Sequence, residues 1–401
     1  MSHQRRAAKL DHPTWPTIHW DDAGESHSAR WRSEAGVLPP KRVQVVDDTL
    51  TADAAYHLAC EGTALLWRGD FQNARQLLQA MARRFDHRSG RSRKLEKSAS
   101  APAEAFHLHR MAQAQRARTL GMLLIPFAAD HQISLRRAPD VRAACSEAYG
   151  KADASGSPYV ASLRELLGLI GAHEWRKNGV EIPALGARIH PHYGVFSPVR
   201  GEYVALVAEA AFPPALDGNS LAYDVGTGTS VLAAVLAMRG ITRVIATDQD
   251  ERALVCAREN VERLGLFGRI DVVQADLFPS GRAPLIVCNP PWVPARPSSP
   301  LEYAVYDPDS RMLSGFLAGL AAHLVPGGEG WLILSDLAEH LGLRTRDELL
   351  ARIAAAGLVV LGRLDTRPTH PRAFDRSDAL HAARAAEMTS LWRLGATPAE
   401  S

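Results

Sequence analysis

From about Glu181 to the C-terminus, short apolar runs and amphipathic helical stretches take turns along the chain. Strand-like runs fall at Leu221–Val225, Arg243–Thr247, Asp271–Ala275, Pro284–Cys288, Trp331–Leu334 and Leu358–Leu364. Helical patterns fall between them at Thr229–Arg239, Glu251–Leu264, Arg311–Leu324 (stopped by Pro326-Gly-Gly328) and Arg346–Ala356. A strand followed by a helix, followed by another strand, repeated along the chain, has few solutions. The chain must build a parallel sheet covered by helices on both faces, with right-handed crossovers. A last strand, Thr389–Leu394, arrives without a clear crossover helix, which leaves an antiparallel insertion open. The fold class is therefore α/β and Rossmann-like.

The carboxyl ends of those strands carry the chemistry. In open α/β sheets that edge is where ligands bind. After the first strand comes Asp224-Val-Gly-Thr-Gly-Thr-Ser230, in which Gly226 and Gly228 let the backbone turn tightly beside a ligand at the next helix's N-terminus. A dinucleotide fingerprint would ask for a third glycine at position 231, which is Val231. The acid ahead of the glycines suits an ammonium group better than a pyrophosphate. The second strand ends in Asp248-Gln249, where a carboxylate can accept from both ribose hydroxyls. The third ends in Asp276-Leu277, an acid to accept from an adenine amine and an apolar side chain to cover the ring. Each acid alone reads as a helix cap or turn residue. Together they describe a ligand with an amine, a ribose and an adenine, which is S-adenosyl-L-methionine. The set resembles the class I methyltransferases, which implies a seven-stranded sheet and cofactor binding by Asp224, Gly226, Thr227, Gly228, Thr229, Ser230, Asp248, Gln249, Asp276, Leu277 and Asn289.

The fourth strand delivers Asn289-Pro290-Pro291-Trp292. Proline has no N–H and fixes its own φ, so two in a row end the strand and hold the neighbouring Asn and aromatic on stiff backbone. The tetrapeptide is similar to the signature of the Asn-Pro-Pro-aromatic, small-domain amino methyltransferases. That resemblance implies that Asn289 and the Pro290 carbonyl accept from a target NH₂ while Trp292 lies against its plane. Such acceptors draw density back onto a delocalised nitrogen and aim it for in-line methyl transfer. Orientation and preorganised polarity then do most of the work. The catalytic expectation is Asn289, Pro290, Pro291 and Trp292. Upstream, His190-Pro-His-Tyr-Gly-Val-Phe-Ser-Pro-Val-Arg-Gly-Glu-Tyr203 resembles the segment before the cofactor loop in the protein-glutamine N5 and ribosomal RNA guanine-N2 methyltransferases. Phe196 and Pro198, with Trp292, are the expected substrate wall; Arg200 and Glu202 read equally as a cap for the next helix. His190 and His192 lack a third ligand at metal spacing, so no metal is expected. The resemblance covers about residues 185–394. Three departures stand out: Ser230 in place of a third glycine, Trp292 in place of Tyr or Phe, and a Pro- and Tyr-rich Arg296–Asp309 unlike the release-factor enzymes.

Ahead of this domain, residues 1–40 read as a polar arm and 41–180 as a mainly helical substrate-recognition domain. Ala54, Leu58, Ala64, Leu65, Leu66 and then Ala74, Leu77, Leu78, Met81 recur at helical spacing, with Arg68-Gly-Asp70 as a break. The stretch Arg68–Arg118 is basic, densest at Arg83–Lys97, with only Asp70, Asp86, Glu96 and Glu104 against it. A solvated helix and loop explains that stretch, and so does a phosphate-contacting patch. Leu66–Arg75 also resembles the front half of some ribosomal RNA enzymes. These tilt the expected substrate to a nucleobase amine in RNA, which in a duplex would have to be extruded to meet Trp292. A glutamine side chain in a protein and a small-molecule amide remain alternatives. So does a non-catalytic cofactor-binding scaffold, although intact Asn289–Trp292 and all three acids argue against it. Composition is that of a soluble globular chain, 46% hydrophobic and 22% charged, and no apolar run reaches the roughly 18–20 residues of a membrane span. The terminus Met-Ser-His-Gln-Arg-Arg lacks a secretory signal's apolar stretch, and four widely spaced cysteines suit a reducing cytoplasm. Oligomeric state is left open.

Overall fold

The computed structural model describes residues 15–88, 101–152, 156–218, 220–297, 302, 305–369, 374–376 and 378–398. The chain forms two compact units, Met1–Phe85 with Ala117–Leu167, and Asp86–Arg116 with Gly168–Ser401.

The first unit sets a sheet among the helices expected at 41–180, and part of the stretch expected to be a polar arm belongs to that sheet. It holds a six-stranded sheet built from β1 (Thr17–Asp22), β2 (Glu25–Trp31), β3 (Arg42–Val46), β4 (Thr63–Trp67), β5 (Leu123–Phe127) and β6 (Tyr159–Ser162). The order is β1-β2-β6-β5-β4-β3. β1 and β2 form a hairpin closed by Ala23 and Gly24, both at positive φ, so the stretch read as an arm is sheet from Thr17 on. The two helices expected across 51–87, broken at Arg68-Gly-Asp70, are Ala52–Cys60 and Phe71–Arg88, with β4 where the first was expected to continue. Ala64, Leu65, Leu66 and Trp67 are buried on both faces of a central strand. A four-residue apolar run has no period of its own, and neighbouring helices lend it theirs.

The second unit holds the hairpin β7 (Val180–Ile182) and β8 (Ala187–Ile189). Its sheet comprises β9 (Leu221–Val225), β10 (Arg243–Asp248), β11 (Ile270–Gln274), β12 (Ala283–Cys288), β13 (Leu324–Ser335), β14 (Leu358–Thr366) and β15 (Thr389–Ala396). They run in the order β11-β10-β9-β12-β13-β15-β14. β9 to β13 are parallel, and β15 inserts antiparallel between β13 and β14. Strand alternation divides the core. Ala222, Leu285, Val287, Trp331 and Ile333 join one buried cluster with the helices Glu202–Glu209 and Val231–Met238. Tyr223, Ile286, Cys288, Leu332 and Leu334 join the other with the helix Arg311–His323. The chain order reverses between β9, which pairs with β10, and β12, so the carboxyl ends of these strands face the topological switch point.

Candidate active site

Between β9 and the helix Val231–Met238, the Asp224–Ser230 loop turns through Gly226 at φ 71°, Gly228 at φ 53° and Ser230 at φ 62°. The left-handed region strains a side chain at position 230, which is why the resemblance leads one to expect glycine there. The Ser230 hydroxyl is tied to the Thr227 hydroxyl at 3.1 Å, and its amide donates to the Thr227 carbonyl at 2.8 Å. A Cβ on Gly226 would stand 2.3 Å from the Met312 methyl, so that glycine lets Met312 close against the loop.

Asp224 is buried beneath this loop. Its Oδ2 accepts from the Thr227 hydroxyl at 2.6 Å and from the Ala233 amide at 3.1 Å. It thereby caps the following helix, whose own N-cap residue Ser230 makes no side-chain cap bond. Burial pushes its carboxyl from the ordinary 3.8 up to about 6, with hydrogen bonds from Thr227 and Ala233 pulling back and the Asp248 charge adding to the rise. A folded-state pKa above the unfolded one means the folded chain holds more protons between those values, so stability falls as pH rises through that window. The urea stability of the wild-type chain relative to Asp224→Asn is therefore expected to drop by about 3 kcal/mol from pH 3.5 to pH 7. A flat difference across that range would place the Asp224 carboxylate in a solvated setting.

Asp248, at the end of β10, accepts from the Gly228 amide through Oδ2 and from the Asp250 amide through Oδ1, both at 3.0 Å. Burial raises its pKa against the pull of these bonds. Asp276 is different: 73% of its side chain is exposed, and Arg311 lies 4.0 Å away. Leu277 sits at φ 72°, its carbonyl accepting from the Thr247 hydroxyl at 2.5 Å. Its side chain fills the notch left by Gly315, where a Cβ would stand 2.6 Å from Leu277 Cδ1.

These groups line one cleft of about 720 Å³, which includes Asp224, Gly226, Thr227, Gly228, Thr229, Asp248, Gln249, Asp276, Leu277, Asn289 and Pro291. Ser230 is not on its wall; its side chain is buried among the loop's own hydrogen bonds. Tyr306, Asp307 and Met312 are also on the wall. Asp307 is buried and accepts from the Met312 and Leu313 amides at 3.1 Å, setting the start of the helix Arg311–His323. Nothing in the irregular run before that helix marks Tyr306 and Asp307 in the sequence, because loops carry no period.

A second cleft, about 770 Å³, adjoins the first through the shared residues Val195, Phe196 and Asn289. Pro290, Trp292, Val199, Val293 and Val305 line it. So do Gly168, Gly171, Ala172 and Trp175, spaced to share one face of their helix. That stripe is legible as spacing, but by sequence it reads as an ordinary helix. Pro198 is buried and lines neither cleft. Arg200 and Glu202 do not cap the helix Glu202–Glu209, which has no side-chain cap bond. Instead Arg200 Nε donates to Glu202 at 2.8 Å and Nη1 to Glu387 at 3.1 Å. The Trp292 indole donates to Asn289 Oδ1 at 2.8 Å, and the Arg200 guanidinium lies 5.2 Å from the Trp292 ring centre. His190 and His192 are structural. His190 Nδ1 meets the Arg176 carbonyl at 2.7 Å, and His192 Nε2 meets Glu259 at 2.8 Å. Among the described residues no His, Cys, Asp or Glu group could hold a metal ion, and no helix is long and apolar enough to cross a membrane.

The first cleft fits S-adenosylmethionine on its donor and acceptor set. Asp224 suits an ammonium, Asp248 suits ribose hydroxyls, and two glycines at positive φ keep the loop clear of side chains.

Residues 186–345 match the family model described as the methyltransferase small domain. A ribosomal protein L11 methyltransferase from Sorangium cellulosum is 36% identical over 150 residues, covering 37% of this chain and 40% of its own. A release factor glutamine methyltransferase from Cereibacter sphaeroides is 35% identical over 148 residues, covering 35% of this chain and 50% of its own. A tRNA1(Val) (adenine(37)-N6)-methyltransferase from Glaesserella parasuis is 40% identical over 73 residues, 17% of this chain and 31% of its own. The chain thus spans half or less of the length of these relatives. The sheet order, the glycine loop and the family match converge on the same stretch, residues 186–345, which is similar to the methyltransferase small domain.

Proposed function

We propose that the chain is an S-adenosylmethionine-dependent N-methyltransferase acting on a planar NH₂ group. The observation that carries this is the place of Asn289 on the wall common to both clefts, at the carboxyl end of β12. Asp224, Asp248 and the Gly226–Gly228 backbone would hold the cofactor, which when bound supplies a methyl group on a positively charged sulfur. Asn289 Oδ1 and the Pro290 carbonyl accept the two hydrogens of the target NH₂, which localises the nitrogen lone pair and fixes its direction. The Pro290-Pro291 backbone fixes the Pro290 carbonyl beforehand and the Trp292 indole holds Asn289 Oδ1 at 2.8 Å, so little reorganisation is needed at the moment of transfer. Phe196 and Val195 wall the passage between the clefts and exclude water there.

For the acceptor, the second cleft favours a side-chain amide carried on a polypeptide. Its wall is largely apolar, and its cations are matched by carboxylates: Arg200 by Glu202 and Glu387, Arg384 by Asp378 at 2.7 Å, and His192 by Glu259. A nucleotide's phosphates would find those charges already neutralised. The second reading, a nucleobase amine in RNA, draws on the basic stretch. There Arg68 pairs with Asp22, Arg84 with Asp53, Arg110 with Glu302 and Arg116 with Asp86. Of its densest part, Arg91, Arg93, Lys94 and Lys97 lie outside the described residues.

Incubation with methyl-labelled cofactor and a lysate split into RNA, protein and small-molecule fractions tests both levels. Label in protein supports the amide reading, and label in RNA overturns it in favour of the nucleobase. No label anywhere, with no calorimetric affinity for S-adenosylmethionine or its demethylated product, overturns the enzyme reading.

A further inference from the structure

We propose that Trp292 is a positioning residue that sets the Asn289 carboxamide, and that Arg200 holds Trp292 in that role; this rests on the methyl-transfer reading above. An indole nitrogen donates a hydrogen bond and cannot accept one. The atom of Asn289 that lies 2.8 Å from it is therefore the carbonyl oxygen, which settles a carboxamide orientation that an isolated Asn leaves ambiguous. Oδ1 keeps a second lone pair for the target N–H, and the Asn289 amino group is turned away from the indole. A Phe at 292 would offer a smaller aromatic ring and no donor, leaving the carboxamide free to flip and to present hydrogens to hydrogens.

The indole is itself held. Arg200 lies over its ring at 5.2 Å, a cation–π distance. The guanidinium is fixed by Glu202 at 2.8 Å and Glu387 at 3.1 Å, and both carboxylates are almost fully buried. Glu387 also accepts from the Ser335 hydroxyl at 2.6 Å, which ties the cluster to the end of β13. One cation between two buried carboxylates has little freedom to wander. The chain of contacts runs from the rigid sheet through Glu387, Arg200 and Trp292 to the acceptor oxygen. It supplies the support that a catalytic group needs from its neighbours. Trp292 also packs against three apolar clusters, so a purely structural role must be separated from this one by measurement.

Two readouts on the full-length chain separate them. In the first, indole nitrogens are labelled and the Trp292 resonance is assigned by its loss in Trp292→Phe. Asn289→Ala is expected to move that resonance upfield and to speed its exchange with solvent. Arg200→Lys, which keeps the charge and loses the planar fork, is expected to broaden or shift it. In the second, methyl transfer is followed on the lysate fraction that the wild-type chain labels. Trp292→Phe is expected to lower kcat on the order of tenfold to a hundredfold, with the acceptor KM and the affinity for S-adenosylhomocysteine within about twofold. A Trp292 resonance indifferent to Asn289→Ala overturns the proposal, as does a wild-type kcat in Trp292→Phe. A wild-type chain that labels no fraction would sink the methyl-transfer reading instead, and the indole resonance would then decide the Trp292–Asn289 contact by itself.

Discussion

Asn289→Ala is expected to lower methyl transfer by at least about a thousandfold while leaving the affinity for S-adenosylhomocysteine within about threefold. The size of the loss comes from what the side chain does and where it stands. It is held at the end of a strand buried along its whole length, with Pro290 and Pro291 stiffening the backbone on its other side. An acceptor fixed in that way costs nothing to orient during the reaction. Alanine removes it, and a water drawn into the gap would have to be ordered afresh in each turnover. It also removes the partner of the Trp292 indole, so the aromatic wall loosens together with the acceptor. Cofactor affinity survives because the bonds that hold Asp224, Asp248 and the glycine loop run among β9, β10 and the helix that starts at Val231 and do not involve Asn289. Single-turnover labelling measures the first quantity and calorimetry the second. Turnover within tenfold of wild type would take the acceptor role away from Asn289.

The strands that place this residue are legible in the sequence because burial on both faces leaves its mark on composition. The apolar run Leu221–Val225 coincides with β9, and the run ending at Cys288 is the strand that delivers Asn289. The missing crossover helix leaves the direction of β15 open in the sequence, and the strand pairs antiparallel with both β13 and β14. Sequence and structure part where local signals compete. Pro326-Gly-Gly328 reads as a helix stop, and the helix does end at His323, yet β13, expected from Trp331, already begins at Leu324 and passes through the Pro-Gly-Gly with a register shift between Ala283 and Leu285 on β12. The run Ala64–Leu66 borrows helical spacing from its neighbours but is a central strand. The support around Trp292 leaves no trace in sequence at all. Arg200 and Glu387 are 187 residues apart, and a charge pair at that separation has no period or motif to betray it. The Trp292–Asn289 bond is local, three residues apart, but its existence depends on how Pro290 and Pro291 turn the chain, which residue type alone does not specify.

Asp248→Ala is expected to cost the chain about a hundredfold to a thousandfold in affinity for S-adenosylhomocysteine, and Asp276→Ala about tenfold or less. The two acids occupy corresponding strand ends, and a reading by motif would weigh them alike. Their surroundings do not. Asp248 is largely buried, and burial raises its pKa even though the Gly228 and Asp250 amides donate to it. A desolvated carboxylate gains most from further donors, and two ribose hydroxyls would supply them at about 1.5–3 kcal/mol each. Removing the carboxylate also strips the Gly228 amide of its acceptor, so the loop that borders the cofactor cleft loses its tie to β10. Asp276 is 73% exposed with Arg311 4.0 Å away, so water already satisfies it and a contact to the adenine edge replaces one solvated bond with another. Calorimetry of both variants at about pH 7.5, above the raised carboxylate pKa of Asp224, gives the comparison directly. A larger loss for Asp276→Ala than for Asp248→Ala would mean that the exposed acid, not the buried one, anchors the nucleoside. The raised pKa of Asp248 would then reflect its place beneath the glycine loop alone.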